Sequence, residues 1–200
     1  MKHQIITILL TVLLGLSCFP VKSEPYTQPT EHDYHVGEKW VWKYKGMTNE
    51  GVVRADGTDT REVKVQDGVT GISIGEHFSP LAEITKPEQN PTPRFKWPLE
   101  VGKKWLFEEK WTSQDGTEGK TSLNAEVLSL KKETVEAGTF LAFTIQYKGK
   151  ITNSRGYSAD VEELFLYAPE VKNFIKLTQS QPDYDYVEEL IEYSKAQAKN

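Results

Sequence analysis

Apolar and polar residues alternate along most of the chain after Val36. In residues 157–167, for example, Tyr157, Val161 and Phe165 share one parity, and Ser158 lies on the other. A period of two residues is typical of strands that bury one face. The pattern predicts strands at about 38–46, 50–55, 60–66, 69–75, 80–85, 103–113, 118–131, 139–153, 156–168, 173–180 and 185–194. Residues 186–199 also fit helical spacing, but we prefer a strand because an antiparallel neighbour is needed there.

Turn signals separate these runs. Asp56-Gly57, Asp67-Gly68 and Asp115-Gly116 each fit a tight hairpin turn, in which both central residues need a positive φ. Residues 153–156 fit a slightly longer hairpin loop. Residues 86–98 contain four prolines, which exclude a regular helix or an inner strand. We therefore expect residues 86–98 to form a crossover between two halves of the fold.

A pentapeptide occurs twice and marks these halves. Val36-Gly37-Glu38-Lys39-Trp40 and Val101-Gly102-Lys103-Lys104-Trp105 lie 65 positions apart, and each opens a run with alternating aromatic residues. The repetition predicts two similar strand entries. Residues 36–196 should therefore form one all-β domain with related halves at 36–98 and 99–196. We expect a curved antiparallel sheet that forms a sandwich or an open barrel.

The N-terminus has the pattern of an export signal. A basic start precedes an apolar run of 12 residues from Ile5 to Leu16, which is shorter than the about 20 residues that span a bilayer and suits a signal peptide. Two cleavage sites compete. Cleavage after Ser23 would remove residues 1–23, whereas a lipoprotein signal would cover residues 1–17 and leave Cys18 for lipidation. Residues 24–35 then form a flexible arm.

Charge and cysteine content narrow the classes of partner. The net charge of −5 becomes −7 once Lys2 and Lys22 are lost with the leader, which argues against nucleic acid and anionic membrane surfaces. Cys18 is the only cysteine, so the domain has no disulfide and no cysteine–zinc site. We expect an exported bacterial protein, either periplasmic or anchored in the envelope, that contacts the membrane only through a lipid on Cys18.

Six aromatic residues near the repeated pentapeptides are the candidate binding site. They could line a cavity for a lipid or another apolar ligand, or they could fill the core, since aromatic side chains dominate core burial. Both interpretations stay open at this stage. The six residues are Trp40, Trp42, Tyr44, Trp105, Phe107 and Trp111.

Candidate catalytic and metal motifs are weak. Gly71-Ile72-Ser73-Ile74-Gly75 matches the nucleophile elbow of hydrolases, but that motif needs a following helix and a later histidine. The only histidine after Ser73 is His77. His32 and His35, and the acidic group of Asp183, Asp185, Glu188 and Glu189, lack the spacing of known metal sites. We predict no catalytic residues, no metal and no cofactor.

Three further segments resemble a known group of proteins. They are Trp97-Pro98-Leu99 leading into Val101-Gly102-Lys103-Lys104-Trp105, Val135-Glu136-Ala137-Gly138-Thr139-Phe140, and Leu166-Tyr167-Ala168-Pro169-Glu170-Val171. Their order resembles exported bacterial β-proteins of unknown function, in which PLxxGxxW, VxAGTF and YxAPxV motifs recur. The resemblance covers residues 95–180 and implies a curved antiparallel sheet and an envelope location. Lys172 stands where that group has a glycine.

These features favour a non-enzymatic envelope protein. It would bind an apolar or amphipathic ligand, or assemble with another envelope protein. The alternative is a secreted or periplasmic hydrolase that uses Ser73 or an unrecognised carboxylate.

Overall fold

The computed structural model describes residues 26–196 and shows one sheet of ten antiparallel strands. The leader, both predicted cleavage sites and Cys18 lie outside the described residues. The strands are β1 (Lys39–Thr48), β2 (Val53–Gln66), β3 (Val69–Ile74), β4 (His77–Pro80), β5 (Lys104–Thr112), β6 (Glu118–Val135), β7 (Gly138–Asn153), β8 (Ser158–Ala168), β9 (Asn173–Gln181) and β10 (Tyr184–Ser194).

The sheet is built from two meanders joined by one long-range pairing. Its order is β4-β3-β2-β1-β10-β9-β8-β7-β6-β5, so that β1 pairs with β10 and the two edges are β4 and β5. The sheet is curved and does not close. This confirms the predicted all-β fold, in its open form, and the strand assigned to the ambiguous C-terminal segment is β10.

The two copies of the pentapeptide adopt the same local structure. Gly37 has a φ of +91° and Gly102 has a φ of +87°. The Gly37 N–H donates to the carbonyl of Val63 at 2.8 Å, and the Gly102 N–H donates to the carbonyl of Val127 at 2.8 Å. In both copies the tryptophan three residues later is buried. The repeat therefore builds two equivalent strand entries, as the sequence predicts.

The predicted turn at Asp67-Gly68 is confirmed, but the predicted turn at Asp56-Gly57 is wrong. Asp67 and Gly68 have φ values of +51° and +79° and join β2 to β3. Asp56 and Gly57 instead lie inside β2, which joins the strands predicted at 50–55 and 60–66 into one strand. Gly57 is needed for a different reason: a Cβ there would lie 2.7 Å from the hydroxyl of Tyr44 on β1.

The predicted strand at 80–85 is also wrong. β4 ends at Pro80, and a single helical turn, α1 (Leu81–Ile84), follows it. Leu81 is buried, so one apolar anchor is enough to fix this turn against the sheet. A segment of four residues is too short for a period of two to be told from a helical period.

Two aromatic-rich clusters fill the inner, concave face of the sheet. The first lies over β5–β8, and the second lies where β1, β2, β9 and β10 meet the hairpin tip between β6 and β7. The first includes Leu99, Trp105, Phe107, Leu123, Tyr147, Phe165 and Tyr167. The second includes Trp40, Trp42, Val63, Leu81, Val135, Phe140, Ile175 and Leu190.

The proline-rich crossover lies across this concave face. Residues 86–98 contain no helix or strand, as predicted. The indole N–H of Trp105 donates to the carbonyl of Pro93 at 2.9 Å, and the hydroxyl of Tyr147 donates to the carbonyl of Arg94. The side chains of Phe95 and Trp97 pack against the first cluster. The second half of the crossover therefore packs against the core, whereas residues 86–91 are exposed.

The described part of the N-terminal arm is anchored, in contrast to the expected flexible arm at 24–35. Tyr26 forms a β-bridge with Leu99, and its ring packs edge-on against Phe143 at 5.2 Å. Tyr34 packs against Trp40 at 6.3 Å. Aromatic side chains at both ends of the segment 26–34 hold it on the sheet, although its proline content and polarity suggested a spacer.

Candidate functional site

The six predicted aromatic residues do not line one pocket. Trp40 and Trp42 belong to the second cluster, and Trp105 and Phe107 belong to the first, where all four are buried. The indole N–H groups of the three tryptophans among them bond to backbone carbonyls. Trp40 donates to Val171 at 3.0 Å and Trp42 to Phe174 at 3.1 Å. These four side chains hold the fold together.

The two remaining aromatic residues lie at the periphery. The ring of Trp111 covers Gly119, where a Cβ would lie 2.0 Å from the indole, and its N–H donates to the hydroxyl of Thr121. Tyr44 stacks on Tyr186, with ring centroids 6.3 Å apart. Neither lines the cavity described next.

A cavity of about 400 Å³ lies on the concave face between the two clusters. Of the six predicted residues, only Trp40 lines it. Trp97 and Tyr167 form its aromatic floor, with ring centroids 5.4 Å apart. Ile74 and Ile84 line it as well, and their side chains are 37% and 41% exposed. The cavity therefore presents an apolar wall that no described residue covers.

Three basic residues line the cavity. The guanidinium of Arg94 pairs with the buried Glu163 and lies 3.8 Å from the centroid of the Phe107 ring. The guanidinium of Arg61 pairs with Asp59 at 2.9 Å and lies 4.6 Å from the ring of Trp42. The aromatic faces hold both cations in fixed positions at the cavity.

The third basic residue, Lys172, forms a buried ion pair. Its ammonium contacts Oε1 of Glu38 at 2.5 Å, and the two side chains are 11% and 2% exposed. The hydroxyl of Tyr193 also donates to Oε1 at 2.7 Å. The other oxygen, Oε2, is buried and has no hydrogen-bond partner among residues 26–196. Burial, with the charge of Glu38 as the second cause, raises the pKa of Tyr34 to about 12, so the phenol beside this pair stays neutral.

Lys172 has a backbone conformation that normally selects glycine. Its φ is +61°, in the left-handed region where a residue with a Cβ is strained. The turn after β8 thus has the shape that a glycine would give, although a lysine occupies the position. The ammonium reaches Glu38 from this turn and lies 5.2 Å from the ring of Tyr34.

The N-terminal arm and the crossover together form one wall of the cavity. The side chain of Gln28 donates to the carbonyl of Lys86 at 2.7 Å and accepts from the N–H of Glu88 at 3.3 Å. Gln28 and Glu88 both line the cavity. Local sequence could not predict this wall, because its contacts join residues almost 60 positions apart.

The weak catalytic and metal motifs do not assemble into a site. Ser73 lies on β3 and not on a strand-to-helix turn, and its hydroxyl donates to the carbonyl of Gly75 at 3.4 Å. Glu188 is buried, whereas Asp185 is exposed and accepts from Ser180. Within residues 26–196, no group of three or more His, Cys, Asp or Glu could hold a metal ion.

No helix between residues 26 and 196 has the length and apolar character needed to cross a bilayer.

Three solved structures are similar to this chain. A candidate lipoprotein from Parabacteroides distasonis ATCC 8503 has a TM-score of 0.48 and 11% identity, over 84% of this chain and 99% of that chain. A candidate exported protein with YmcC-like fold from Bacteroides fragilis NCTC 9343 has a TM-score of 0.40 and 11% identity, over 86% of this chain and 100% of that chain. The hypothetical lipoprotein YmcC from Escherichia coli (K12) has a TM-score of 0.38 and 10% identity, over 80% and 86%.

No family model matches this chain, and no curated protein matches it. Its function therefore has to be argued from its own residues.

Proposed function

We propose that this protein is a non-catalytic binding protein of the bacterial envelope, and that its concave cavity holds an amphipathic, anionic ligand. The observation that carries the proposal is the cavity between two well-packed clusters. Its volume of about 400 Å³ lies in the range of ligand pockets, about 300–1,000 Å³. Its aromatic floor of Trp97 and Tyr167 and its basic residues offer a ligand both apolar and polar contacts.

The lining predicts a ligand with an apolar part and an anionic part. Ile74 and Ile84 expose apolar surface to the cavity, and covering that surface with a hydrocarbon chain is favourable. The basic residues Arg61, Arg94 and Lys172 line the cavity together with Glu88, and each of the three is already paired with a carboxylate. Each guanidinium has five N–H donors, so donors remain for an anionic head group after the ion pairs are made. A carboxylate or phosphate attached to an apolar chain meets both requirements.

The location and the absence of catalysis are parts of the same proposal. The N-terminal pattern supports export, and lipidation of Cys18 would anchor the domain in the envelope. The strand position of Ser73 supports a binding role over hydrolysis, because a nucleophilic serine needs a tight turn and an adjacent base. Another envelope protein would then deliver or receive the ligand.

The binding proposal predicts tryptophan quenching by a brominated fatty acid. We expect 11-bromoundecanoate to quench fluorescence in a saturable manner, because its bromine would contact Trp40 or Trp97 inside the cavity. Ile74→Glu should weaken quenching at least tenfold, since it places a carboxylate on the apolar wall. The measurement is a fluorescence titration of the purified protein.

Val187→Glu is the matched control for this experiment. Val187 lies on β10 and is 36% exposed, compared with 37% for Ile74, but it does not line the cavity. Its substitution should leave the titration unchanged. Equal quenching in wild type and Ile74→Glu would contradict the proposed site, and so would quenching that rises linearly without saturation.

A further inference from the structure

A second group of aromatic residues lies on the concave face outside the cavity. Tyr44 on β1 and Tyr184 and Tyr186 on β10 are half-buried there. A Cβ on Gly46 would lie 1.9 Å from the hydroxyl of Tyr184, and a Cβ on Gly57 would lie 2.7 Å from that of Tyr44. The two glycines thus leave room for the phenol rings to lie over the neighbouring strand.

A buried carboxylate lies among these rings. Glu188 is directly opposite Tyr44 in the pairing of β1 with β10, and it is 8% exposed. The hydroxyl of Tyr186 donates to its Oε2 at 3.0 Å. Among the described residues, Oε1 has no hydrogen bond. One neutral donor does not offset the cost of burying a carboxylate.

The charges nearby offset the charge of this carboxylate only in part. Arg61 and Asp59 are the charged neighbours that act on Glu188, and Arg61 acts more strongly than Asp59. The two also pair with each other at 2.9 Å. Burial raises the pKa of Glu188, and the hydrogen bond from Tyr186 and the charge of Arg61 oppose this rise only in part. A further positive charge would therefore stabilise the carboxylate.

The chemistry of these groups selects an organic cation. The electron-rich faces of tyrosine rings attract an ammonium group. A calcium ion would need six to eight oxygen ligands, which the group does not offer. An anion would be repelled by Glu188. We propose that Tyr44, Tyr184, Tyr186 and Glu188 form a second binding site, for a quaternary or primary ammonium group.

This site is tested by comparing choline with its neutral isostere 3,3-dimethyl-1-butanol. Calorimetry on the wild-type chain should show saturable, millimolar binding of choline, and at least tenfold weaker binding of the alcohol. The two molecules have nearly the same shape, so the difference reports the charge. This comparison needs no variant and does not depend on the ligand of the cavity.

Two substitutions locate the binding. Glu188→Gln should weaken choline binding at least tenfold, because it removes the compensating charge with little change in volume. Glu189→Gln is the control, since Glu189 pairs with Lys176 at 2.6 Å on the opposite face of the sheet and should leave binding unchanged. Equal affinity for choline and the alcohol would overturn the proposal. So would the absence of saturable binding, or a Glu188→Gln variant with wild-type affinity.

Discussion

Replacement of Lys172 by methionine should lower the free energy of unfolding by about 3–5 kcal/mol, the range for breaking one side of a buried ion pair. Glu38, whose side chain is 2% exposed, would lose its cationic partner. Only the hydroxyl of Tyr193 would then bond to its carboxylate. Urea denaturation followed by circular dichroism measures the loss.

Two variants make this prediction specific. Lys195→Met breaks the exposed pair with Glu170, whose side chains are 63% and 53% exposed, and it should cost at most about 1 kcal/mol. The double variant Glu38→Gln/Lys172→Met should recover a large part of the loss, because it no longer leaves a buried charge. A Lys172→Met protein within about 1 kcal/mol of wild type would show that the pair is not a buried, compensated one.

Replacement of Trp42 by alanine should cost about 3–5 kcal/mol, the usual range for removing a buried tryptophan. Trp42 is fully buried, and its indole N–H bonds to the carbonyl of Phe174 at 3.1 Å. The substitution removes the indole from the second cluster and leaves a cavity between β1 and β9. Thermal and urea denaturation should both detect the loss.

Trp111→Ala is the comparison within the same predicted aromatic set. Trp111 is half-buried at the periphery and covers Gly119, so its loss should cost about 1 kcal/mol, an average value for point substitutions. If both variants lost the same stability, the division of these aromatics into core and periphery would be wrong.

The fold was predictable because its information is local. Alternation of apolar and polar residues identified the strands, and the repeated pentapeptide identified two strand entries whose glycines have nearly equal φ values. At Asp56-Gly57, where the predicted turn was wrong, the cause was non-local. Gly57 resembled a turn residue, but its role is to leave space for Tyr44 on the next strand.

The cavity could be predicted only in part. The sequence identified Trp40 as a candidate lining residue. It did not identify the cavity's basic residues, because they come from separate elements: Arg61 from β2, Arg94 from the crossover and Lys172 from the turn after β8. Two signals were present. Arg61 lies two residues before Val63 and therefore on the same inward face of the strand, which is unusual for a charged residue. Lys172 stands where the resemblance implies a glycine, and its ammonium forms the buried ion pair with Glu38.

Native mass spectrometry of the full chain, extracted gently from the envelope of the bacterium that makes it, tests the binding function most directly. We expect a bound species of discrete mass on wild type, strongly reduced on Ile74→Glu and retained on Val187→Glu. A wild-type spectrum at the mass of the protein alone would contradict it, and so would an adduct of equal abundance on Ile74→Glu.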